Sequence, residues 1–230
     1  RGGKLIVEQA KADSLFVTLD GTERKLSGEE IMICDAEGPI GLAGVMGGSD
    51  SSIQDSTTRI YLEVAYFKPE RIRKAAQIHS LKTDASFRFE RGTDIEAKAF
   101  AIQYAALLIQ EIAGGTISSE LVDVYPEKPV LAEIPMTFER VKKLIGIEIG
   151  AERIQEILIA LDFELKNKTN EGFLAIAPAY RVDVTREADI IEEILRIHGL
   201  DNIPLSENLS AKFISEFPAL DKEKVQLSLG

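Results

Sequence analysis

A cluster of prolines divides this chain into two parts. The stretch "VYPEKPVLAEIPM" carries three prolines within ten positions, at Pro126, Pro129 and Pro135. Because proline lacks a backbone N–H and has a fixed φ, such a run rarely continues a helix or enters the middle of a sheet. We therefore predict a first domain over 1–125, a linker over 126–134 and a second domain over 135–204.

Short strands separated by turns are expected in the first part. Asp20-Gly21 between "LFVTL" and "TERKL" predicts a hairpin, since this pair accepts positive φ at little cost. "IMICDAEG" and "IGLAGVMGG" predict two more strands around a turn at Gly38-Pro39. The β-branched and aromatic run "IYLEVAYF" (60–67) predicts a further strand that ends before Pro69.

The pattern then becomes helical. "KPERIRKAAQIHSL" has apolar residues at helical spacing behind a proline. "DIEAKAFAIQYAALLIQEIAGG" predicts a longer helix, with Asp94 as its N-cap and Gly114-Gly115 as its end. Strands followed by helices without strict alternation predict an α+β or mixed α/β fold, in which helices cover a mixed sheet, and argue against a Rossmann sheet.

The sequence of the second part predicts a small winged-helix-like α+β domain. Two helices ("TFERVKKLIG", capped by Thr137, and "GAERIQEILIALDF") precede two strands ("ELKNK" and "FLAIAPAY") and a last helix, "TREADIIEEILRIHG". Residues 205–230 show no core pattern of their own, and we expect them to lead towards a further domain. The start at "RGGKLIVEQ" likewise suggests a cut inside a longer protein.

Composition limits the possible functions. The net charge is −11, so any contact with nucleic acid must depend on a local basic patch or on another part of an assembly. No apolar run approaches the ~20 residues that span a bilayer. The single cysteine, Cys34, fits a core thiol in a reducing compartment. P-loop, dinucleotide-binding and zinc motifs are absent from the sequence.

Glu63 is unusual because it stands in an otherwise apolar predicted strand. Such a carboxylate either pairs with a nearby arginine, of which Arg59, Arg71 and Arg88 are candidates, or is held half-buried to bind a ligand. The glycines of "GVMGG" permit close approach of backbone to a ligand. In "KTDASFRFERGTD" small side chains make room, and arginines lie among aromatics. These arginines either meet phosphate or pair with Glu90 and Asp94.

A second group of carboxylates lies in "YRVDVTREADIIEE". Asp189, Glu192 and Glu193 project from one helix face, and Asp183 precedes them on the incoming segment. An oxygen-rich cluster suits Mg²⁺ or Ca²⁺, whereas the simpler alternative is a solvated acidic face balanced by neighbouring arginines. His79 and His198, near helix ends, are interpreted as capping or surface residues.

Four long segments in order resemble the beta subunit of bacterial phenylalanyl-tRNA synthetase. They are "GLAGVMGG", "LEVAYFKPERIRKAA", "KTDASFRFERGTD" and "PAYRVDVTREADIIEEILRIHGLDNIP". The resemblance implies that 1–125 is most of an editing domain, which hydrolyses tyrosine wrongly attached to the phenylalanine tRNA. It also implies that Glu63 recognises the tyrosine hydroxyl, in a pocket lined by Gly47, Thr83 and Ala85.

The same resemblance implies cofactors and partners. Asp183, Asp189, Glu192 and Glu193 would bind a Mg²⁺ shared with the alpha subunit. ATP would be used by the whole enzyme, a cytoplasmic heterotetramer of two alpha and two beta chains that binds tRNA(Phe). A "QPMHAFD"-like segment of the family, whose histidine belongs to the editing pocket, is not found in this chain. Two alternatives stay open, namely a non-catalytic tRNA-binding or assembly module and a metal-dependent hydrolase that uses the second carboxylate group.

Overall fold

The structure is a computed structural model that describes residues 2–125, 130–204 and 226–228. Its strands are β1 (Ile6–Gln9), β2 (Leu15–Val17), β3 (Glu23–Lys25), β4 (Ile31–Cys34), β5 (Pro39–Leu42), β6 (Met46–Gly47), β7 (Glu133–Thr137), β8 (Glu164–Lys166) and β9 (Gly172–Ile176). Its α-helices are α1 (Pro69–Ile78), α2 (Asp84–Phe89), α3 (Lys98–Ala113), α4 (Phe138–Ile145), α5 (Ala151–Ala160) and α6 (Glu187–His198). Part of the predicted linker, 126–129, and nearly all of the predicted tail lie outside the described residues.

Two antiparallel sheets form the first part of the chain. One has the strand order β1-β4-β5-β6, and β2 and β3 form a separate ribbon. The predicted hairpin is confirmed: Gly21 has a φ of 77°, and its N–H donates to the Thr18 carbonyl. The predicted strands around Gly38-Pro39 are confirmed as β4 and β5.

The strand predicted over 60–67 is wrong. This stretch contains neither helix nor strand, and Tyr61 is 72% exposed. Strand propensity reflects packing against neighbouring strands, and the sheet of the first part ends at the two-residue β6, which pairs with β5. Only Phe67, at the end of the stretch, is buried.

Helices α1 and α3 occupy two predicted helical segments. Pro69 begins α1 at a position where a missing N–H costs nothing. Gly114 ends α3 as predicted, but the predicted N-cap is wrong. Asp94 instead accepts a hydrogen bond from the Glu96 N–H in a preceding turn, so that α3 begins only at Lys98. Helix α2, capped by Thr83, was not predicted.

The second part packs its helices against a three-stranded antiparallel sheet of order β7-β9-β8. The predicted order of two helices, hairpin and helix is confirmed, as is the Thr137 cap, which accepts from the Arg140 N–H. Strand β7 was missed because Pro135 suggested a linker. An edge strand tolerates proline, and β7 lies at the edge of its sheet. At Gly172 a Cβ would lie 2.0 Å from the Met136 carbonyl oxygen, so β7 and β9 approach closely there.

Each part has its own apolar core. The first core gathers buried residues of the sheet and of α1, among them Met32, Leu42 and Ile72. The second gathers residues of the sheet and of all three helices, among them Leu158 and Ile190. The α+β class predicted from the sequence is therefore confirmed. Within the described ranges, none of the helices combines the length and apolarity that crossing a bilayer requires.

Candidate functional site

Phe67 joins the three segments that the sequence singled out in the first domain. Its ring is buried and packs edge-on against Phe89 of α2, with 5.2 Å between centroids. It also contacts the glycine turn, because a Cβ on Gly44 would lie 3.0 Å from the Phe67 ring. Gly44 has a φ of 64°, which favours glycine at this position. The stretch that carries Glu63 is thus anchored to both other segments.

Thr83 provides a second link between α2 and the glycine turn. Its hydroxyl donates to the Val45 carbonyl at 2.7 Å and accepts from the Ser86 N–H at 3.0 Å. The Ser86 hydroxyl in turn accepts from the Thr83 N–H at 2.9 Å, which completes a reciprocal cap. Ala85 lies in the first turn of this helix and is half-buried. Gly47 pairs with Gly41, and the space beside it is open.

Glu63 is exposed to solvent, yet the pKa of its carboxyl is shifted. Desolvation by the surrounding protein raises the pKa of this carboxyl above its ordinary value. Within the described residues it forms no hydrogen bond or ion pair, and Arg88 instead donates to the Asp84 carbonyl. The alternative in which Glu63 pairs with Arg59, Arg71 or Arg88 is therefore wrong. An exposed carboxylate without a partner among the described residues is an acceptor available to a ligand.

The two arginines of the "FRFER" segment are held locally. Arg91 pairs with Glu90 at 2.8 Å and lies over the Phe87 ring, 3.6 Å from its centroid. Of the ion pairs that one alternative offered, Arg91 with Glu90 is present, whereas Arg88 forms none within the described residues. Both Arg88 and Arg91 are exposed.

A groove of about 260 Å³ lies beside the segment that follows β6. Residues of β2, of the β4–β5 turn, of β5 and of the segment after β6 line it, including Phe16, Ile40, Gly48 and Asp50. Glu63, Gly47, Thr83 and Ala85 are not among its lining residues. That those four residues share one pocket stays a prediction.

A buried contact between Glu30 and His79 was not predicted from the sequence. Glu30 is 1% exposed and contacts His79 Nε2 at 2.8 Å. His79 is the C-cap residue of α1, as one of its two interpretations had it, but its side chain is only 5% exposed, so the surface interpretation is wrong. The two residues are 49 positions apart, so no local sequence pattern indicates this contact.

Cys34 is the buried core thiol that the sequence predicted, at 3% exposure. Desolvation and the nearby Glu8 carboxylate raise the pKa of the thiol to about 11. A thiol with so high a pKa is a poor nucleophile near neutral pH.

In the second domain, arginines hold three of the four predicted magnesium ligands. Asp183 accepts two bonds from Arg181, and Glu193 contacts both Arg181 and Arg196. Asp189 accepts from the N–H groups of Thr185 and Arg186 at the start of α6, and from the Arg186 side chain.

Glu192, the fourth predicted ligand, is exposed. Across the described ranges, no three potential ligands from His, Cys, Asp and Glu gather closely enough to hold a metal. In this arrangement the donor set does not fit Mg²⁺, because arginine side chains already occupy the oxygens of three of the four acids. The assignment of the four residues as metal ligands stays a prediction.

Comparison with known proteins finds two domain profiles that match successive stretches of the chain. The profile of the B3/4 domain matches residues 1–114, and the profile of the tRNA synthetase B5 domain matches residues 134–200. The chain is 42% identical over 226 residues to a protein of Bacteroides fragilis named phenylalanine–tRNA ligase beta subunit. That alignment covers 98% of this chain. The chain belongs to the phenylalanine–tRNA ligase beta-subunit family.

Other relatives of the same name support this membership. The beta subunit of Porphyromonas gingivalis is 44% identical over 92% of the chain, and that of Fusobacterium nucleatum is 43% identical over 87%. The chain spans about 28% of the length of the Bacteroides fragilis relative. An N-terminal fragment of the Pyrococcus horikoshii phenylalanyl-tRNA synthetase beta subunit aligns over 83% of this chain and 55% of that fragment. The sequence identity to that fragment is 13% and the TM-score is 0.39.

Proposed function

We propose that this chain is the editing and B5 part of a phenylalanine–tRNA ligase beta subunit. It would support formation of phenylalanyl-tRNA, which uses ATP, and would remove tyrosine attached in error to the phenylalanine tRNA. The observation that carries this proposal is the junction at Phe67, which ties the Glu63 segment to the glycine turn and to α2. Its partners would be an alpha subunit, in a heterotetramer of two alpha and two beta chains, and tRNA(Phe).

Glu63 would distinguish tyrosine from phenylalanine by one hydrogen bond. A pocket shaped for phenylalanine rejects an analogue with an added hydroxyl only weakly, so a second sieve is useful. The tyrosine hydroxyl would donate to the Glu63 carboxylate, which has no other partner within the described residues. A phenylalanine ring would leave that carboxylate desolvated without a bond, at a cost of roughly 1–3 kcal/mol. Thr83 and Ala85 would leave room for the ring.

A segment rich in exposed cations would contact tRNA. Residues 68–91, which include α1 and α2, carry seven lysines and arginines against three acidic residues, in a chain of net charge −11. All seven cations are exposed: Lys68, Arg71, Arg73, Lys74, Lys82, Arg88 and Arg91. A local excess of exposed cations is what an acidic protein needs in order to bind a phosphate backbone.

Deacylation by the intact two-subunit enzyme tests this proposal. The wild-type enzyme should hydrolyse tyrosyl-tRNA(Phe) much faster than phenylalanyl-tRNA(Phe). Glu63→Ala should reduce that preference by roughly 5- to 150-fold, the equivalent of 1–3 kcal/mol. Glu111→Ala, at an exposed position of α3, is the matched control and should keep the preference. An unchanged preference in Glu63→Ala would defeat the assignment.

One observation favours a second candidate, a tRNA-binding or assembly module without hydrolysis. The groove described above is not lined by the four residues assigned to editing. This candidate predicts tRNA binding that depends on the cations of 68–91, together with no tyrosyl-tRNA deacylation by the wild-type enzyme.

A further inference from the structure

Arg181 contacts two of the four acids that the sequence singled out in the second domain. Its Nε and Nη2 donate to the two oxygens of Asp183, at 3.0 and 2.8 Å. Its Nη1 lies 2.9 Å from Oε2 of Glu193. One planar guanidinium thus joins an acid on the loop before α6 to an acid on the helix itself, using the fork geometry that suits carboxylates.

The backbone holds Arg181 in this position. The Arg181 N–H donates to the Pro178 carbonyl, and the Arg181 carbonyl accepts from the Val184 N–H. Val184 is 3% exposed and belongs to the core of the second domain. The β9–α6 loop is therefore anchored on both sides of the arginine, and its side chain is only 19% exposed.

The buried position of Glu193 requires a cation nearby. It is 8% exposed, and its neighbours on α6 include the fully buried Ile190 and Ile194. A carboxylate removed from water in this way is costly unless it is paired and hydrogen-bonded. Arg181 and Arg196 provide two positive charges for the two negative charges of Asp183 and Glu193.

A divalent cation would compete with the guanidinium for the same oxygens. Mg²⁺ binds oxygens at about 2.1 Å in an octahedron, and a positive guanidinium on those oxygens would repel it. The other two acids offer little compensation, since Asp189 caps α6 and Glu192 is exposed.

We propose that Arg181 is the resident cation of this cluster. It neutralises Asp183 and Glu193, fastens the β9–α6 loop to α6, and excludes a divalent cation from that pair of acids for as long as its side chain stays in place. This inference is independent of the proposed editing activity, because it concerns only contacts within the second domain.

Titration of the 230-residue chain with Mn²⁺, a paramagnetic substitute for Mg²⁺, tests the proposal. Broadening of assigned amide resonances in residues 183–194 reports binding at the cluster. Wild type should show no selective broadening up to roughly 1 mM, whereas Arg181→Gln should broaden these amides at least tenfold lower in Mn²⁺ concentration. Arg153→Gln, which removes an exposed arginine from a pair with Glu156, is the matched control and should behave as wild type.

Two results would overturn the proposal. One is selective broadening of 183–194 in wild type well below 1 mM, and the other is equal Mn²⁺ affinity in wild type and Arg181→Gln. If Arg181→Gln does not fold, the wild-type titration decides alone. Saturable broadening at these amides then counts against the proposal, and its absence counts for it.

Discussion

Replacing Glu30 by glutamine should destabilise the first domain strongly. The Glu30 carboxylate accepts from three consecutive backbone N–H groups, those of Ser27, Gly28 and Glu29, at 3.0–3.1 Å. It also contacts His79 Nε2 at 2.8 Å, with no side-chain surface exposed to water. Glutamine keeps the size of the side chain but removes its charge, and it turns an N–H₂ group towards donors that need an acceptor.

The pKa of Glu30 sets the magnitude of this effect. Burial alone would raise the pKa, but the hydrogen bonds from the Ser27–Glu29 turn and from His79 lower it from 4.5 to about 2. A difference of this size corresponds to roughly 3 kcal/mol of stabilisation. Since the folded-state pKa is the lower one, this stabilisation is complete above about pH 4.5 and is lost as the pH falls towards 2.

Denaturant unfolding followed by amide resonances of the first domain measures this prediction. At pH 7, Glu30→Gln should lower the free energy of unfolding by roughly 3 kcal/mol, and the difference from wild type should shrink as the pH falls below about 4.5. Glu29→Gln is the matched control. Glu29 pairs with Lys74 on the surface, so its replacement should cost under about 1 kcal/mol. A Glu30→Gln protein as stable as Glu29→Gln at pH 7 would refute the reasoning.

Two further predictions concern backbone conformation and core packing. Ser80 has a φ of 53°, so Ser80→Gly should raise the free energy of unfolding by about 0.5–1 kcal/mol in thermal unfolding. Ser52→Gly, at a φ of −64°, should lower it slightly, and a destabilised Ser80→Gly would contradict the argument. Leu158→Ala, at a fully buried position, should cost roughly 2–5 kcal/mol by denaturant unfolding. Ile159→Ala, next to it but 54% exposed, should cost under about 1 kcal/mol, and equal losses would contradict the assignment of the core.

Local chemistry made much of the fold predictable. The Asp20-Gly21 turn, the Thr137 cap and the Gly114 helix end each depend on residues close in sequence, and all three are confirmed. The stretch over 60–67 was predicted wrongly because strand formation also needs a neighbouring strand, which a local pattern does not reveal.

In the candidate site, too, the features that depend on nearby residues were predictable and those that depend on distant contacts were not. The segments around Glu63, Gly47 and Thr83 were recognised from their residues, but their junction at Phe67 depends on contacts between distant elements. His79 contacts Glu30, and Arg181 lies between two acids. No local sequence pattern indicates either of these pairings.

Affinity of the intact enzyme for two stable substrate mimics tests the role of Glu63 most directly. The mimics are 3′-terminal adenosines that carry tyrosine or phenylalanine through an amide, which resists hydrolysis. In wild type the tyrosine compound should bind more tightly by roughly 1–3 kcal/mol, and Glu63→Gln should remove most of that difference. Equal affinity for the two compounds in wild type, or an unchanged difference in Glu63→Gln, would contradict the account.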